Sequence, residues 1–130
     1  MAAGTVEMNP EGIGAGDGSI IRVTWVLTTA DPAGDELAIP TYADKTWTIG
    51  NAAGNAFGGA TCSLQGRNKS ADTLLTLNKA ATGAAATAAA AAIIATIENT
   101  ALVAPVLTAI GAGATITVCL VARRANPLRQ

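Results

Sequence analysis

Four stretches of this chain alternate apolar and polar residues with a period of two, and this pattern constrains the fold more than any other feature. They read "SIIRVTWVLTT", "DKTWTIG", "ATCSLQG" and "ATITVCLVARR". In the first stretch one face carries Ile21, Val23, Trp25 and Leu27, and in the last stretch one face carries Ile116, Val118, Leu120 and Ala122. A period of two in residues rich in Val, Ile and Thr is typical of half-buried β-strands. The sequence therefore predicts a chain built on strands.

Residues that favour turns separate these stretches at intervals of about ten residues, as in antiparallel all-β domains. We therefore expect an all-β fold, an antiparallel β-sandwich of jelly-roll-like type with at most a short helical turn. The opening "MAAGTVEMNPEGIGAGDG" is rich in Gly and has no period. The predicted organisation is a flexible N-terminal arm over residues 1–18, a β-sandwich domain over 19–124 and a C-terminal tail over 125–130.

The stretch "ATGAAATAAAAAIIATIENT", residues 81–100, is the exception to the strand pattern. Alanine has the highest helix propensity, but a run of small residues without a polar face is not a usual surface helix. Its position between strands favours a short connection with one or two helical turns near residues 87–93, followed by extended chain. Thr82, Gly83 and Glu98 interrupt or close the run, and "MAAGTVEMNPEG" does not resemble a signal peptide. The sequence therefore predicts no contact with a membrane.

The parity of the strands also assigns the large and reactive side chains. Trp25 and Trp47 share faces with aliphatic residues, which predicts that both belong to the core. Cys62 lies on the apolar face of its stretch, whereas Cys119 lies on a threonine face. Side chains on opposite faces rarely reach the Cβ separation that a disulfide needs, so two free thiols are predicted.

The residues that most enzyme sites require are missing or scattered. The chain has no His, and Asp35 and Glu36 are neighbours whose side chains point in opposite directions on extended chain. "GIGAGDG" precedes a strand rather than a helix, unlike a phosphate-binding loop. We expect no enzymatic activity, cofactor or metal. The net charge is −1, and the arginines of "VARRANPLRQ" form too small a group to predict nucleic-acid binding.

The core and the arm both suggest assembly with a partner. With four aromatic residues in 130, the core must be built from Val, Ile, Leu and Ala, which bury little area each. Chains of this kind often complete their burial by assembling with copies of themselves or with a larger protein. The arm carries apolar residues that could anchor in a neighbour, which makes Val6, Met8, Pro10 and Ile13 candidate partner-binding residues. A terminus without a role is the alternative.

Part of the chain resembles a family of small virion proteins of tailed bacteriophages. The resemblance spans residues 44–124 and rests on "DKTWTIGNAAGNAFGGATCSLQGRN", on "VAP" and on "ATITVCLVARR". Family members carry a block of the form D-[RK]-T-V-x-V-x-G … F-G-G-A-T-V-x-L-Q-G-S-N and a later T-V-T-L-x-x-R-R. The matching positions are Asp44, Lys45, Thr46, Phe57, Gly58, Gly59, Ala60, Thr61, Leu64, Gln65, Gly66, Asn68, Pro105, Arg123 and Arg124. Leu74 stands where the family has Trp, and "LVAP" stands where it has Tyr-x-Arg-Pro.

The resemblance implies a capsid decoration, or cement, protein. Such a protein would be made in the host cytoplasm, assemble as a homo-oligomer, often a trimer, and bind the major capsid protein on the outside of an icosahedral head. Two other functions stay open. One is a different virion role, such as a tail or fibre adaptor, and the other is a carbohydrate-binding module. Sugar binding usually needs exposed aromatic platforms, and here only Tyr42 and Phe57 lie outside the predicted core.

Overall fold

The computed structural model describes residues 1–8, 19–110 and 113–124, and within them the chain forms ten strands and no helix. The strands are β1 (Thr5–Met8), β2 (Ile20–Thr28), β3 (Leu37–Ala38), β4 (Tyr42–Ile49), β5 (Thr61–Arg67), β6 (Leu75–Thr76), β7 (Thr87–Ala88), β8 (Ala92–Ala95), β9 (Leu102–Thr108) and β10 (Thr115–Arg124).

The strands form two sheets in which every pairing is antiparallel. The first sheet has the order β1-β2-β10-β4-β8, and the second has the order β3-β9-β5-β6, with β7 also paired to β5. Neither sheet closes on itself, and the buried side chains of both meet in one core. The predicted antiparallel, all-β sandwich is confirmed.

β10 is the central strand of the first sheet, and its register shows how the predicted alternation becomes a core. Leu120 lies opposite Val23 on one side and opposite Trp47 on the other. All three side chains are fully buried. The rings of Trp25 and Trp47 stack with their centroids 5.9 Å apart, and neither residue is exposed to solvent. The prediction that both tryptophans belong to the core is confirmed.

The second sheet supplies the facing layer through β5 and β9. Cys62 pairs with Leu107 and Leu64 with Pro105, and all four are buried. Cys62 is a free, buried cysteine and Cys119 is a free, partly exposed one. The predicted pair of free thiols is confirmed, with Cys62 turned inward and Cys119 turned outward.

The alanine region contains strands where helical turns were expected near residues 87–93. β7 and β8 occupy that span, and Ala88 pairs with Cys62 while Ile94 pairs with Trp47. Ala86 is fully buried, and its carbonyl accepts a hydrogen bond from the Leu64 backbone. The prediction of at most a short helical turn is confirmed, and strands stand where the one or two turns were considered, because pairing with β4 and β5 satisfies the backbone of this span and buries part of its apolar surface, which outweighs alanine's intrinsic propensity.

The first eight residues belong to the sandwich, which corrects the prediction of an irregular arm at this point. Ala2 is buried; its amide donates to the Ala33 carbonyl and its carbonyl accepts from the Asp35 amide. β1 then pairs with β2 from Thr5 to Met8. Gly4 allows this approach, because a Cβ there would lie 2.9 Å from the indole nitrogen of Trp25. Residues 9–18 and the predicted tail 125–130 lie outside the described residues.

Across the described residues, the structure contains no helix that is long and apolar enough to cross a membrane.

Candidate partner-binding site

β1 is the outermost strand of the first sheet, and it carries two of the candidate residues. Val6 and Met8 lie opposite Val23 and Ile21, so their side chains are on the core side of the sheet. Whereas Val23 and Ile21 are buried, Val6 is 44% exposed and Met8 is 60% exposed. The structure therefore brings Val6 and Met8 together as an apolar strip along the edge of the sandwich. Pro10 and Ile13 lie outside the described residues.

On the other side of β1, Glu7 pairs with Arg22 of β2. The Arg22 guanidinium donates two hydrogen bonds to the Glu7 carboxylate, at 3.2 and 3.1 Å. Both side chains are partly exposed, so the pair contributes little to stability. Its consequence for binding is that the single charge of β1 is already neutralised within the sheet.

At the end of β1, Met8 meets Tyr42 of β4. The Tyr42 hydroxyl lies 3.8 Å from the Met8 sulfur and donates to it. Thioether contacts with aromatic residues are weakly favourable and leave the methionine free to adapt to a partner. This contact extends the apolar strip from β1 to the start of β4.

The backbone of β1 adds a second means of binding. Among the described strands β1 has a neighbour, β2, on one side only. Natural proteins often protect such edges with Pro, Lys or a bulge, whereas "TVEM" contains neither Pro nor Lys and pairs with β2 in unbroken register. β1 can therefore accept an added strand from another chain, with Val6 and Met8 providing apolar contacts.

The outer face of the first sheet is a second surface, here named the threonine face. It comprises outward side chains from the middle of the three central strands, namely Thr24, Val26, Thr46, Thr48, Thr117, Cys119 and Val121, and the charged Arg22 and Arg123 lie on the same side nearer one end. A depression of about 380 Å³ lies over it, lined by Glu7, Arg22, Thr24, Thr48, Asn51, Ala52, Thr117 and Cys119. Sequence reasoning missed this surface as a unit, although the polar half of the alternating stretches was its signal.

The two thiols differ in their environments. Burial raises the pKa of Cys62 to about 12, so its reactive thiolate is scarce at neutral pH. Burial also raises the pKa of Cys119, while a hydrogen bond with Thr24 and the nearby Arg22 oppose that rise. Neither cysteine has the lowered pKa of a catalytic nucleophile.

Lys45, one of the positions that match the family block, is a cation whose burial sequence reasoning did not predict. It lies on the inward parity of β4, and the residue is 1% exposed. Its ammonium donates to the Tyr42 carbonyl at 3.1 Å and to the Asn99 side-chain oxygen at 3.4 Å. Desolvation lowers the pKa of Lys45, and the charge of Asp44 partly opposes this. Lys45 therefore ties β4 to the segment after β8, and its parity with Trp47 was the available signal.

A cavity of about 440 Å³ lies beside β6, where Arg67 and Glu98 are among the lining residues. Arg67 donates to both carboxylate oxygens of Glu36 and to the carbonyls of Ser70 and Asp72. The hydrogen bond from Arg67 is the main cause that lowers the pKa of Glu36. Arg67 and Glu36 therefore use their hydrogen-bonding groups on each other and on the neighbouring backbone. We call this arrangement a clamp, meaning a set of polar contacts that joins two loops, and it leaves these groups less available to a ligand.

Glu98 forms the second clamp at this cavity. Its carboxylate accepts a hydrogen bond from the Asn78 backbone amide at 2.8 Å and another from the Asn78 side chain at 2.7 Å. The backbone bond is the main cause that lowers the pKa of Glu98. Within the part of the chain that the structure describes, no group of three or more His, Cys, Asp and Glu residues is arranged to hold a metal ion.

Comparisons with family models, with characterised proteins and with solved structures found no match to this chain. The edge of β1 offers backbone hydrogen bonds and apolar contacts, and the threonine face offers a broad surface with few charges. Both are means of binding another macromolecule. The stacked tryptophans are buried and offer no platform to a sugar.

Proposed function

We propose that this chain is a structural virion protein that decorates the outside of a tailed-phage head. In this role it binds the major capsid protein and stabilises the shell as a homo-oligomer. The resemblance in sequence supports the proposal, and its motifs lie on the framework of the sandwich. The stretch "DKTWTIG" covers most of β4 and the glycine after it, Gly50. The stretch "ATITVCLVARR" covers β10 and the alanine before it, Ala114. The block "FGGATCSLQGRN" forms the turn before β5 and then β5 itself.

The observation that carries the proposal is the exposed edge of β1. A decoration protein has to hold a large surface without catalysing a reaction, and an open edge with apolar side chains suits that task. In the proposed mode an extended segment of the shell subunit adds beside β1. Its backbone pairs with the strand, and its side chains cover Val6 and Met8. In the sequence, residues 9–18 follow β1 directly and contain the other two candidate residues, Pro10 and Ile13.

The strand conformation of β1 lowers the cost of binding. Ordering a free segment costs about 1–2 kcal/mol per residue in backbone entropy. The structure has already ordered Thr5–Met8 by pairing with β2. Binding at this edge therefore needs ordering mainly in the partner segment, and the apolar contacts of Val6 and Met8 count more fully toward affinity.

The test uses phage heads that lack this protein and measures how much purified protein sediments with them. Val6→Asp and Met8→Asp place a charge in the apolar strip and should reduce occupancy about tenfold or more. The matched control is Thr5→Asp, on the same exposed strand but on its outer face. Its occupancy should stay within about twofold of the wild type, since the surface around it is polar.

Two outcomes would contradict the proposed function or the proposed docking surface. Wild-type protein that binds tails or fibres but not heads would support the adaptor role instead. Wild-type protein that binds heads with Val6→Asp and Met8→Asp unaffected would leave decoration standing and remove the β1 edge as its docking surface.

A further inference from the structure

Lys45 is the one buried cation among the described residues, and its surroundings do not neutralise it. Its ammonium donates to two uncharged oxygens, the Tyr42 carbonyl at 3.1 Å and Asn99 Oδ1 at 3.4 Å. Within the described part of the chain no carboxylate forms an ion pair with Lys45. The neighbouring Asp44 acts on it by its charge, but Asp44 itself is exposed. A buried ammonium without a paired charge is costly for the folded state.

Asn99 places a carboxamide beside this amine. Its amide carbon is one C=O bond, about 1.2 Å, from the oxygen that accepts the Lys45 hydrogen bond. The two residues are 54 positions apart in the chain, so only the fold brings them into contact. Well-oriented groups held together in this way react with effective concentrations of about 10⁵–10⁸ M. Asn99 is exposed, so water reaches its amide and exchanges protons with it.

The environment of Lys45 also favours the reactive form of its amine. An amine attacks a carbonyl carbon only when it is neutral. Burial lowers the pKa of Lys45, and the charge of Asp44 partly opposes this. Desolvation therefore makes the neutral amine more abundant than in an exposed lysine.

We propose that Lys45 and Asn99 form an intramolecular isopeptide bond, which makes this pair a site of self-modification. The ammonium first releases one proton to water, and the neutral nitrogen attacks the amide carbon of Asn99. The new C–N bond forms, the bond from that carbon to the amide nitrogen breaks, and the departing nitrogen takes a second proton from the attacking nitrogen. The products are a Lys45–Asn99 amide and ammonia, which binds the released proton and leaves as ammonium.

The product is favoured because the reaction moves a charge from the protein interior into water. The positive charge leaves β4 and is fully hydrated as ammonium, which removes the cost of the buried lysine. Dilution of the ammonium in the solvent opposes the reverse reaction. The new amide joins β4 covalently to the segment after β8, and the cross-link restricts the unfolded chain. This modification is independent of the decoration function.

The test follows the intact mass of the purified, full-length protein, which is kept folded and is denatured only for each measurement. The wild type should lose the mass of one ammonia per chain. Trypsin should then release a branched peptide that joins the segments of Lys45 and Asn99 and is uncleaved after Lys45. Lys45→Arg keeps the cation and Asn99→Ala removes the carboxamide, so both should keep their full mass. The matched control is Asn68→Ala, which removes another exposed carboxamide and should form the bond like the wild type.

A folded wild type that keeps its full mass over the whole time course overturns the inference. A loss of ammonia that yields no branched peptide and persists in Lys45→Arg also overturns it, because a succinimide formed at an asparagine releases ammonia without involving Lys45. Wild-type protein held in urea throughout should keep its full mass, since the bond requires the folded contact. Circular dichroism checks that each variant folds. If Lys45→Arg does not fold, Asn99→Ala still decides the outcome, because Asn99 is an exposed position.

Discussion

The two sheets of this protein are stabilised in different ways. In the first sheet three long strands, β2, β4 and β10, have 8–10 residues each and largely alternate buried and more exposed positions. In the second sheet only β5 and β9 are long, whereas β3, β6 and β7 have two residues each. The first sheet is a ladder of long strands with one register shift, between Val121 and Arg123 of β10, whereas the second sheet is completed by loops around its short strands.

Side-chain contacts replace backbone pairing around the short strands. Arg67 clamps the loop before β3 through Glu36, and Glu98 clamps the residues after β6 through Asn78. Ser63 of β5 and Thr76 of β6 share a hydrogen bond of 3.2 Å. The comparison teaches that alternation alone can specify the first sheet, whereas the second depends on particular polar pairs that join distant parts of the chain.

The largest expected effect comes from the tryptophan pair of the first sheet. Trp47→Ala removes a ring that is fully buried, stacked on Trp25 and bonded through its indole nitrogen to Thr96 at 3.2 Å. The free energy of unfolding should fall by about 3–5 kcal/mol, measured by urea denaturation. Trp25→Ala should cost a similar amount.

The control on the same sheet is Ile93→Ala. Because Ile93 is largely exposed in the single chain, its replacement should change the unfolding free energy of the monomer by less than about 0.5 kcal/mol. If Trp47→Ala were as stable as Ile93→Ala, the conclusion that the buried face of the first sheet forms the main core would be wrong.

The next effect tests how tightly the second sheet closes on its loops. Gly66 of β5 is buried, and a Cβ added there would lie 2.3 Å from the Thr100 hydroxyl and 3.1 Å from the Leu102 carbonyl. Thr100 is itself held by a hydrogen bond to that carbonyl. Gly66→Ala should destabilise the protein by about 1–3 kcal/mol through overpacking, measured by thermal or urea unfolding.

The matched control combines Gly66→Ala with Thr100→Ala, which removes the hydroxyl that the new methyl group meets. The double variant should be less destabilised than the sum of the two single variants, because relief of the contact makes the changes non-additive. Simple additivity would show that Thr100 does not restrict the space at Gly66.

Much of the first sheet could be predicted from the sequence, because a period of two reports directly on which side chains are buried. It placed Trp25, Trp47 and the two cysteines on their observed faces. β1 was missed because "TVEM" is short and all four residues stay exposed, so its sequence carries no buried face. Its position is decided instead by the packing of Gly4 against Trp25, a contact between distant residues.

The second sheet and the candidate surfaces show what a sequence pattern does not contain. β7 of the second sheet and β8 of the first follow from pairing of the alanine region with β5 and β4, and no local property of alanine predicts that pairing. Val6 and Met8 were chosen for their apolar character, but their common edge became apparent only with β1 in place. The alternation of each strand predicts which of its side chains belong to the threonine face. Their combination into one surface depends on the register between β2, β10 and β4, which the sequence pattern does not contain.

A smaller effect concerns the Glu98 clamp and has a defined sign. Because the folded protein lowers the pKa of Glu98 below its ordinary value of 4.5, the unfolded state binds more protons in the window just below that value. The stabilisation is therefore fully present above about pH 5 and is lost as the pH falls through the folded pKa. Glu98→Gln should lose about 1 kcal/mol at pH 7 and much less near pH 3.

Unfolding of the wild type and of Glu98→Gln at several pH values checks this expectation. The two stability curves should converge as the pH decreases. If the difference in unfolding free energy between the two proteins were the same at pH 7 and pH 3, the charge of Glu98 would not stabilise its contact with Asn78. Polar pairs would then be less important for the second sheet than the comparison of the two sheets indicates.

The smallest effect leaves stability unchanged and compares one thiol from each sheet. Cys62 of β5 faces the core, whereas Cys119 of β10 faces outward. At pH 8 a pKa of about 12 leaves roughly one Cys62 thiol in 10⁴ as thiolate, and burial also excludes the reagent. In dilute native protein one thiol should react with a soluble disulfide reagent, and mass analysis should place the adduct on Cys119. The second thiol should react only at the rate of unfolding, and protein denatured without reductant should yield both. If Cys62 reacted first in the native state, the second sheet would open far more readily than the first. If the denatured protein yielded no thiol, the two residues would be paired and the assignment of their faces would be wrong.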